Sequence, residues 1–361
     1  VSFELLRNEN YWKDGLPYVD KIVSYTLPEG PSMLAAFATG QVHANSFHMG
    51  ATPFSNLEAV ALAEENPDEL NIKFLTPFGP VGLIMTVQAP FDDVRMRQAY
   101  NLVLDRHEFV EVFGAGPGSD QAAPFFGADT YFGFSTAELL EMPGFRRGPD
   151  GEKHPDDIAE AKRLIASWEA DHPDGFTNTV GTDTYTYTPG QPHSFTTMTR
   201  ISGNKVAWAE LAMEQLNRFL DFDATLIPVD SASGIDRYNA RTGPTESGDF
   251  FMAGQDLGMM MLPNAITSTL SAVSEPITGW NTMMPSWFKD SLVAQRTEAD
   301  PAKRVEMLRE LQRYLIEEDP GPLITLYQQA AADIWSKKLI NYNMPPTHYG
   351  NMVWEHVWIE D

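Results

Sequence analysis

Side chains able to do chemistry are scarce in this sequence and stand in separate places. Glu141 and Glu152 lie in stretches rich in glycine and proline, where a pair of glycosidase-like carboxylates could stand, although 50 acidic residues also produce such pairs by chance. His43 and His48 carry the imidazoles that zinc, nickel or copper bind. Their spacing does not place both side chains on one helix face, so solvated histidines are the simpler interpretation.

The familiar catalytic signatures are absent from the sequence. It has no Gly-x-Ser-x-Gly elbow, no P-loop, no Gly-x-Gly-x-x-Gly after a strand and no His-Glu-x-x-His. The chain also lacks cysteine, which excludes disulfides, thiolate zinc sites, iron–sulfur clusters and cysteine nucleophiles. We therefore predict no catalytic residue, no metal site and no cofactor.

The charge of the chain argues against nucleic acids and membrane surfaces as partners. It has 25 Lys plus Arg against 50 Asp plus Glu, a net charge of −25, which repels phosphate backbones and anionic lipids. At 361 residues and 43% hydrophobic content, the chain is long enough for two or three folding units. No apolar run approaches the roughly 20 residues that span a bilayer.

The hydrophobic pattern predicts alternating helices and strands, which is typical of an α/β protein. Ser55 and Glu58 form a capping box before a helix, and Asp300 with Pro301 begins the last long helix. Strands are predicted over 1–6, 18–27, 71–76, 82–88 and 224–229. Further helices are predicted over 31–39, after Asp93, after Asp105, from Asp157 and over 204–220. The stretches 114–155 and 231–285 show no period and are predicted to be irregular.

The order of several segments is more specific than any single motif. They are Asn8 to Trp12, Leu16 to Ile22, Pro90 to Ala99 followed by Leu104-Asp105-Arg106, Asp157 to Ile165, Arg304 to Glu318 and Pro322 to Tyr327. In this order they resemble segments of the family 5 extracellular solute-binding proteins, which are the peptide, dipeptide, nickel and opine receptors of ABC importers. The resemblance covers essentially the whole chain.

The resemblance implies a two-lobed α/β fold of the periplasmic-binding-protein type (type II, cluster C-like), with a hinge and a ligand cleft between the lobes. Residues 1–87 would form part of the first lobe, 88–326 the second, ligand-binding lobe, and 327–361 a return into the first. Family members usually carry more sequence before the Asn-Tyr-Trp segment. We therefore expect that an N-terminal portion of the first lobe is missing.

By the same resemblance, Asp256 follows a strand over 250–255 and matches the acid that receives the ammonium group of a peptide. The aromatic residue and the Asp/Asn-Pro that usually follow are replaced by Leu257, Gly258 and Met259. A capping or solvated acid is the alternative role for Asp256. The other predicted ligand-binding residues, for which core packing is the alternative, are Trp280, Asn281, Trp287, Met259 and Met260.

The function implied by the resemblance is that of a non-catalytic solute-binding subunit of an ABC importer. It would bind a peptide or peptide-like solute as a monomer, in the periplasm or outside the cell at the cell envelope, and deliver it to the permease subunits. No nucleic acid would take part, and membrane contact would occur only through the permease or a lipid anchor. The alternatives are a secreted hydrolase with paired carboxylates and, within the family, a nickel-chelate or oligosaccharide receptor.

Overall fold

Helices and strands alternate along the chain in the computed structural model, as the hydrophobic pattern predicts. The structure describes residues 2–25, 27, 30–45, 54–114, 120–121, 126–201, 204–240, 252–256, 283–343 and 353–360. The strands are β1 Ser2–Leu6, β2 Lys21–Tyr25, β3 Leu70–Met85, β4 Asp120–Gln121, β5 Phe176–Val180, β6 Asp183–Tyr187, β7 Ser194–Arg200, β8 Asp223–Val229, β9 Met252–Asp256, β10 Leu323–Ser336, β11 Leu339–Ile340 and β12 Trp358–Ile359. The helices are α1 Gly30–Ala38, α2 Asn56–Glu65, α3 Val94–Val103, α4 Arg106–Phe113, α5 Thr136–Leu139, α6 Pro155–Ala170, α7 Lys205–Leu220, α8 Ser231–Asn239, α9 Ser286–Ala294 and α10 Pro301–Glu317. Within these residues, no helix combines the length and apolar character needed to cross a membrane.

The chain forms two compact units, and each is assembled from separate stretches of sequence. Unit 1 contains residues 1–78, 114–119 and 329–361, and unit 2 contains residues 79–113 and 120–328. The assignment of these units to the lobes of a solute-binding protein stays a prediction.

Unit 2 has a large core built on a four-stranded sheet in the order β5-β6-β7-β8. The first two pairs of strands are antiparallel, whereas β7 and β8 are parallel and are joined through helix α7. A parallel pair needs such a crossover because the chain must return to the end of the sheet where the first strand began, and a tight turn does not span that distance. Aromatic side chains fill the core, among them Phe91, Tyr100, Trp168, Tyr185 and Phe195, all of them buried.

A second sheet, in the order β4-β10-β3-β9, contains the two longest strands of the chain. Strand β9 is antiparallel to β3, from the pair Met85–Met252 to the pair Val81–Asp256. The Met85 amide donates to the Pro322 carbonyl at 2.7 Å, and the Lys337 amide donates to the Glu69 carbonyl at 2.8 Å. These two bonds lie near opposite ends of β3 and β10, so the two strands are also antiparallel.

Unit 1 has smaller cores. Strands β1 and β2 form an antiparallel pair, and β11 pairs with β12. Helices α1 and α2 contribute Phe37 and Leu62 to a cluster that also holds Ile334 of β10. The predicted capping box of α2 is confirmed, because the Ser55 hydroxyl accepts from the Glu58 amide and the Glu58 carboxylate accepts from the Ser55 amide.

Two predicted element boundaries are wrong for local reasons. The strands predicted over 71–76 and 82–88 are one strand, β3. Pro77 and Pro80 lie within this strand, and the fixed φ of proline suits extended backbone wherever its nitrogen is not needed for pairing. Helix α6 begins at Pro155, and its cap is His154, whose Nδ1 accepts from the Asp156 amide.

Regular structure also occurs in stretches that were predicted to be irregular or were left without a prediction. Helix α8 follows Asp230, whose carboxylate accepts from the amides of Ala232 and Ser233. Strand β9 lies in the same stretch, 231–285, and α5 lies within 114–155. Strands β5 to β7 precede α7; the alternating burial of β6, DTYTY, is the period-two signal that identifies them.

Candidate functional site

The predicted ammonium-binding acid, Asp256, is the last residue of strand β9. Its strand covers 252–256, close to the predicted 250–255. In the sheet its backbone pairs with Val81 of β3. Strand β9 also packs against helix α7 and strand β7 within unit 2. Asp256 therefore stands at a sheet end that other elements of unit 2 hold in place, and its ligand role stays a prediction.

The strand register brings three other polar residues to the same end of this sheet. Because Met85 meets Met252 and Pro322 at one end, β9 ends at Asp256 opposite Val81, inside the longer strand β3, and β10 passes this level near residue 328 before both long strands continue. There Gln328 of β10 pairs with Asp120 of β4, and Tyr327 pairs with Gln121. Asp256 is on β9 and Gln328 is on β10, with β3 between them, while Asp120 and Gln121 are on β4, next to β10. Carboxylates accept hydrogen bonds from ammonium groups, and amides both donate and accept.

Gln328 is a buried member of this group whose side-chain amide lacks hydrogen-bond partners within the described residues. The residue is 2% exposed, yet neither its Nε2 nor its Oε1 has a hydrogen-bond partner in the part of the chain that the structure describes. Gly127 lies against this side chain, since a Cβ added there would come within 3.1 Å of its Cγ and Cδ. A buried amide without partners costs free energy, so a water molecule or a solute group is expected to satisfy it.

Buried arginines from the segment that carries the family resemblance hold β10 in place. Arg97 of α3 donates to both carboxylate oxygens of Asp319, through Nε at 3.0 Å and a terminal nitrogen at 2.6 Å. Its other terminal nitrogen donates to the carbonyls of Phe91 and Asp92. Both partners of this ion pair are buried, and Asp319 precedes β10 by four residues. Arg97 thus ties the start of α3 to the turn from which β10 begins.

A second buried network surrounds Gly144. Arg106 of α4 donates to the Thr325 carbonyl of β10 at 2.9 Å and to the Gly144 carbonyl at 2.9 Å. The Lys153 ammonium donates to the same Gly144 carbonyl at 2.8 Å, and the Asp157 carboxylate accepts from the Gly144 amide at 2.9 Å. Gly144 has a φ of +81°, and a Cβ there would come within 3.0 Å of a carbonyl oxygen, which explains the glycine.

Burial has a chemical effect in this network. It lowers the pKa of Lys153 from its usual 10.5 to about 7, and the neighbouring Arg106 cation acts in the same direction. Asp157, from which a helix was predicted to begin, is fully buried and also accepts from Arg146 at 2.9 Å. The motif arginines and this lysine therefore act as scaffold for the sheet.

Of the remaining predicted ligand-binding residues, Trp287 is the one that lies within the described residues. Trp287 lies on α9 and is 41% exposed, and its ring meets Tyr314 edge to face with centroids 5.1 Å apart. Its neighbour Phe288 is buried in a cluster with Ile84 of β3. The other predicted residues lie outside the described residues; they are Met259, Met260, Trp280 and Asn281.

The candidate carboxylates and histidines take ordinary positions. Glu141 and Glu152 are both exposed. His43 is half-buried, and its backbone carbonyl accepts from the Ser336 amide at 2.7 Å; His48 lies outside the described residues. Over the ranges that the structure describes, no three histidine or acidic side chains are grouped as metal ligands.

The sequence analysis did not predict an apolar groove in unit 1. The groove has a volume of about 520 Å³. Its walls come from the β1–β2 pair and the C-terminal part of the chain, and its lining residues are Leu5, Leu6, Arg7, Tyr11, Pro17, Val19, Lys21, Ile22, Val353, Trp354 and Glu355. Neither Asp256 nor Trp287 is among them. The consecutive leucines of β1 were a signal for it, because adjacent strand residues face opposite sides and a pair of strands cannot cover both sides; Leu5 and Leu6 are 55% and 74% exposed.

Known proteins of similar sequence are binding proteins. The model of the bacterial extracellular solute-binding proteins, family 5 Middle, matches residues 1–276. The glutathione-binding protein GsiB of Salmonella paratyphi A is 23% identical over 339 residues, which cover 93% of this chain and 57% of GsiB. Heme-binding protein A of Haemophilus influenzae is 25% identical over 182 residues, 48% of this chain and 27% of that protein. The chain thus spans little more than half the length of GsiB.

Solved structures of low sequence identity share the fold. Haemophilus influenzae OppA, in complex with RPPGFSPFR, has a TM-score of 0.71 at 16% identity, over 99% of this chain and 62% of OppA. The periplasmic binding protein DppA of Helicobacter pylori, in complex with the peptide STSA, has a TM-score of 0.69 at 18% identity, over 100% of this chain and 60% of DppA. These likenesses confirm the predicted α/β fold of the two-lobed periplasmic-binding-protein type. With a family match over residues 1–276, the chain belongs to the family 5 bacterial extracellular solute-binding proteins.

Proposed function

We propose that the chain serves as the solute-binding subunit of an ABC importer and that it binds a peptide or peptide-like solute through the Asp256 end of the second sheet. Family membership supports the general role. The ligands of similar proteins support the solute class, since GsiB is a glutathione-binding protein and DppA was solved with the peptide STSA. Glutathione and short peptides share an ammonium group, carboxylates and amide bonds.

The observation that carries the proposal is the set of groups at this end of the sheet. Asp256 supplies an acid for the solute ammonium, a charge-assisted hydrogen bond that is stronger than a neutral one. Gln328 supplies a donor and an acceptor that are unused within the described residues, which is the complement of a peptide bond. A site with both groups recognises the start of a peptide without requiring particular side chains.

The proposed place of action is the periplasm or the outside of the cell, and the proposed partners are permease subunits. It binds its solute without turnover, as a monomer, in the periplasm or outside the cell at the cell envelope, and it passes the solute to permease subunits. The similarity to named binding proteins supports this role. A hydrolase with paired carboxylates is the alternative, and Glu141 and Glu152 are exposed rather than enclosed in a site.

Calorimetric titration with three probes tests the proposal: glutathione, Ser-Thr-Ser-Ala, and the same tetrapeptide with an acetylated N-terminus. The free tetrapeptide should bind more tightly than the acetylated one. Asp256→Asn should cost about 2 to 5 kcal/mol of binding free energy, because the ammonium would lose its charged partner. The acetylated peptide should show little further loss in this variant.

The matched control is Asp236→Asn, which changes an exposed acid on α8 of the same unit and should bind as the unchanged protein does. Equal affinity of Asp256→Asn and the unchanged protein for the free tetrapeptide would remove Asp256 from the site. Steady release of peptide fragments, followed by mass spectrometry, would contradict a binding protein and favour the hydrolase.

A further inference from the structure

A buried polar contact attaches the C-terminal segment, defined here as residues 339–343 and 353–360, to strand β10. Asp333 of β10 is fully buried. The Tyr342 hydroxyl lies 3.0 Å from its Oδ1 and 2.9 Å from its Oδ2. Tyr342 is itself only 8% exposed. Both groups belong to unit 1, and neither is part of the proposed solute site.

The surroundings leave this carboxyl group poorly supplied with donors. A hydroxyl carries one proton, so it donates to only one of the two carboxylate oxygens at a time. Within the described residues, the nearby segment 41–45 makes its hydrogen bonds elsewhere: Asn45 bonds the Ala332 carbonyl and the Ile334 amide, and the His43 carbonyl accepts from the Ser336 amide. From β3, Lys73 acts on Asp333 only through space and is itself exposed.

The protonated and ionised forms of Asp333 therefore differ in how well their hydrogen-bonding groups match the Tyr342 hydroxyl. A neutral carboxylic acid has one donor and one acceptor, which match the donor and acceptor of the Tyr342 hydroxyl. An ionised carboxylate places a charge in an apolar site with one hydrogen bond. In agreement with this geometry, burial raises the pKa of Asp333 from its usual 3.8 to about 7, while Tyr342 and Lys73 oppose the rise.

Tyr342 connects this contact to the rest of the C-terminal segment. Its ring packs on Trp335 of β10 and on Trp354, with centroids 5.2 and 5.8 Å apart. Leu339 and Val357 are buried in the same cluster. Strand β12, which begins directly after Val357, pairs with β11. A weaker contact at Tyr342 would thus loosen the packing of this cluster, whereas Glu355 of the segment is also held by the Tyr18 amide at 3.1 Å and by Lys13.

We propose that Asp333 and Tyr342 form a protonation-dependent latch, which holds the C-terminal segment on β10 in acid and loosens it as the pH rises to neutral. When the segment opens, Asp333 meets water and regains its ordinary acidity. The closed form therefore binds more protons than the open form between about pH 4 and pH 7. The equilibrium constant for opening should rise up to about tenfold per pH unit in this window and level off above it.

Hydrogen exchange of peptides from 339–343 and 353–360, measured from pH 4.5 to 8 and corrected for the intrinsic exchange rate, tests the latch. In the unchanged protein the opening constant should rise with pH and reach a plateau near pH 7. Asp333→Asn keeps the shape of the side chain but carries no charge at any pH, so its opening constant should stay flat. Asp68→Asn, an exposed acid of unit 1, should keep the slope of the unchanged protein.

A second variant keeps the proposal testable if Asp333→Asn does not fold. Tyr342→Phe retains the ring and removes the hydroxyl, so the ionised Asp333 loses its hydrogen bond and the plateau should move to higher pH. The side-chain carboxyl signal of Asp333, followed by carbon NMR in the unchanged protein, should titrate near neutral pH. A flat opening constant in the unchanged protein, an unchanged slope in Asp333→Asn, or titration of Asp333 below pH 5 would each overturn the latch.

Discussion

The core of unit 2 and the β1–β2 pair of unit 1 place large apolar side chains in opposite environments. Phe91, Tyr100 and Phe195 of unit 2 are at most 1% exposed, whereas Phe3 and Leu6 of unit 1 are 56% and 74% exposed. The difference follows from the architecture. A sheet of four strands covered by helices buries its inner face, but an isolated pair of strands has too little surface to bury its own side chains and is marginally stable. Apolar composition alone does not distinguish the two regions.

The largest effect should come from the core of unit 2. Phe195→Ala is expected to lower the free energy of unfolding by about 3 to 5 kcal/mol, because the variant loses buried apolar area and leaves a cavity. Urea unfolding monitored by circular dichroism measures this loss. Leu5→Ala in β1, where the side chain is 55% exposed, serves as the control and should cost less than about 0.5 kcal/mol. Equal losses in the two variants would abolish the comparison.

The next effect is the change in the free energy of unfolding with pH, which should have opposite signs in the two units. Lys153 in unit 2 has a folded pKa of about 7, below its ordinary value, so its charged form opposes folding. Unit 2 should therefore gain stability as the pH rises from about 7 towards 10.5, by at most about 1.4 kcal/mol per pH unit.

Asp333 in unit 1 has a raised pKa, so unit 1 should instead lose stability as the pH rises from about 4 to 7. Unfolding at several pH values, followed by hydrogen exchange in α6 and in residues 330–336 of β10, which belong to unit 1, separates the two trends. Lys153→Met should abolish only the rise in unit 2. The same sign in both units, or a rise that survives in Lys153→Met, would contradict this assignment.

A smaller effect is expected at the helix caps, and it should be similar in both units. The Ser55 hydroxyl caps α2 in unit 1, and the Asp300 carboxylate caps α10 in unit 2 by accepting from the Ala302 and Lys303 amides. Replacing either residue with Ala should cost about 1 kcal/mol, because one or two helix amides lose their acceptor. Thermal unfolding of the two variants gives the comparison. A cap that contributes nothing in unit 1 alone would show that α2 frays independently of its unit.

The smallest effect on stability is expected at the apolar groove of unit 1. Leu6→Lys changes a side chain that is 74% exposed, so unfolding should shift by less than about 0.5 kcal/mol. The same change should reduce the binding of a hydrophobic dye, because it interrupts an exposed apolar surface. Val112→Lys, at a half-exposed position on α4 of unit 2, is the control for added charge. Dye binding that does not fall in Leu6→Lys would show that this surface is covered in solution.

Local signals in the sequence predicted local structure well. The caps at Ser55, Asp93, Asp105 and Asp300 are all observed, because a cap depends on residues two or three positions away. Family resemblance supplied what local signals do not contain, namely the fold and the position of Asp256 at a strand end. Strand β3 was divided in two because prolines are common in turns as well as in extended segments.

Long-range contacts explain what could not be predicted. Asp157 has the sequence context of a surface helix start, yet its partners Gly144 and Arg146 lie in a loop whose course depends on the whole of unit 2. The pairing of Arg97 with Asp319 joins residues far apart in sequence, and no periodicity indicates it. The Gln328 amide lacks hydrogen-bond partners within the described residues, and this too depends on neighbours that only the folded chain brings together.

The network around Gly144 has a consequence for how this sequence can change over generations. Arg106, Lys153 and Asp157 all bond the same residue, so losing one leaves the others with a buried charge or an unmet carbonyl. Single replacements should be harmful, while joint replacements by apolar residues should be tolerated. These positions therefore evolve as one unit, and related sequences should either retain all of them or exchange them together.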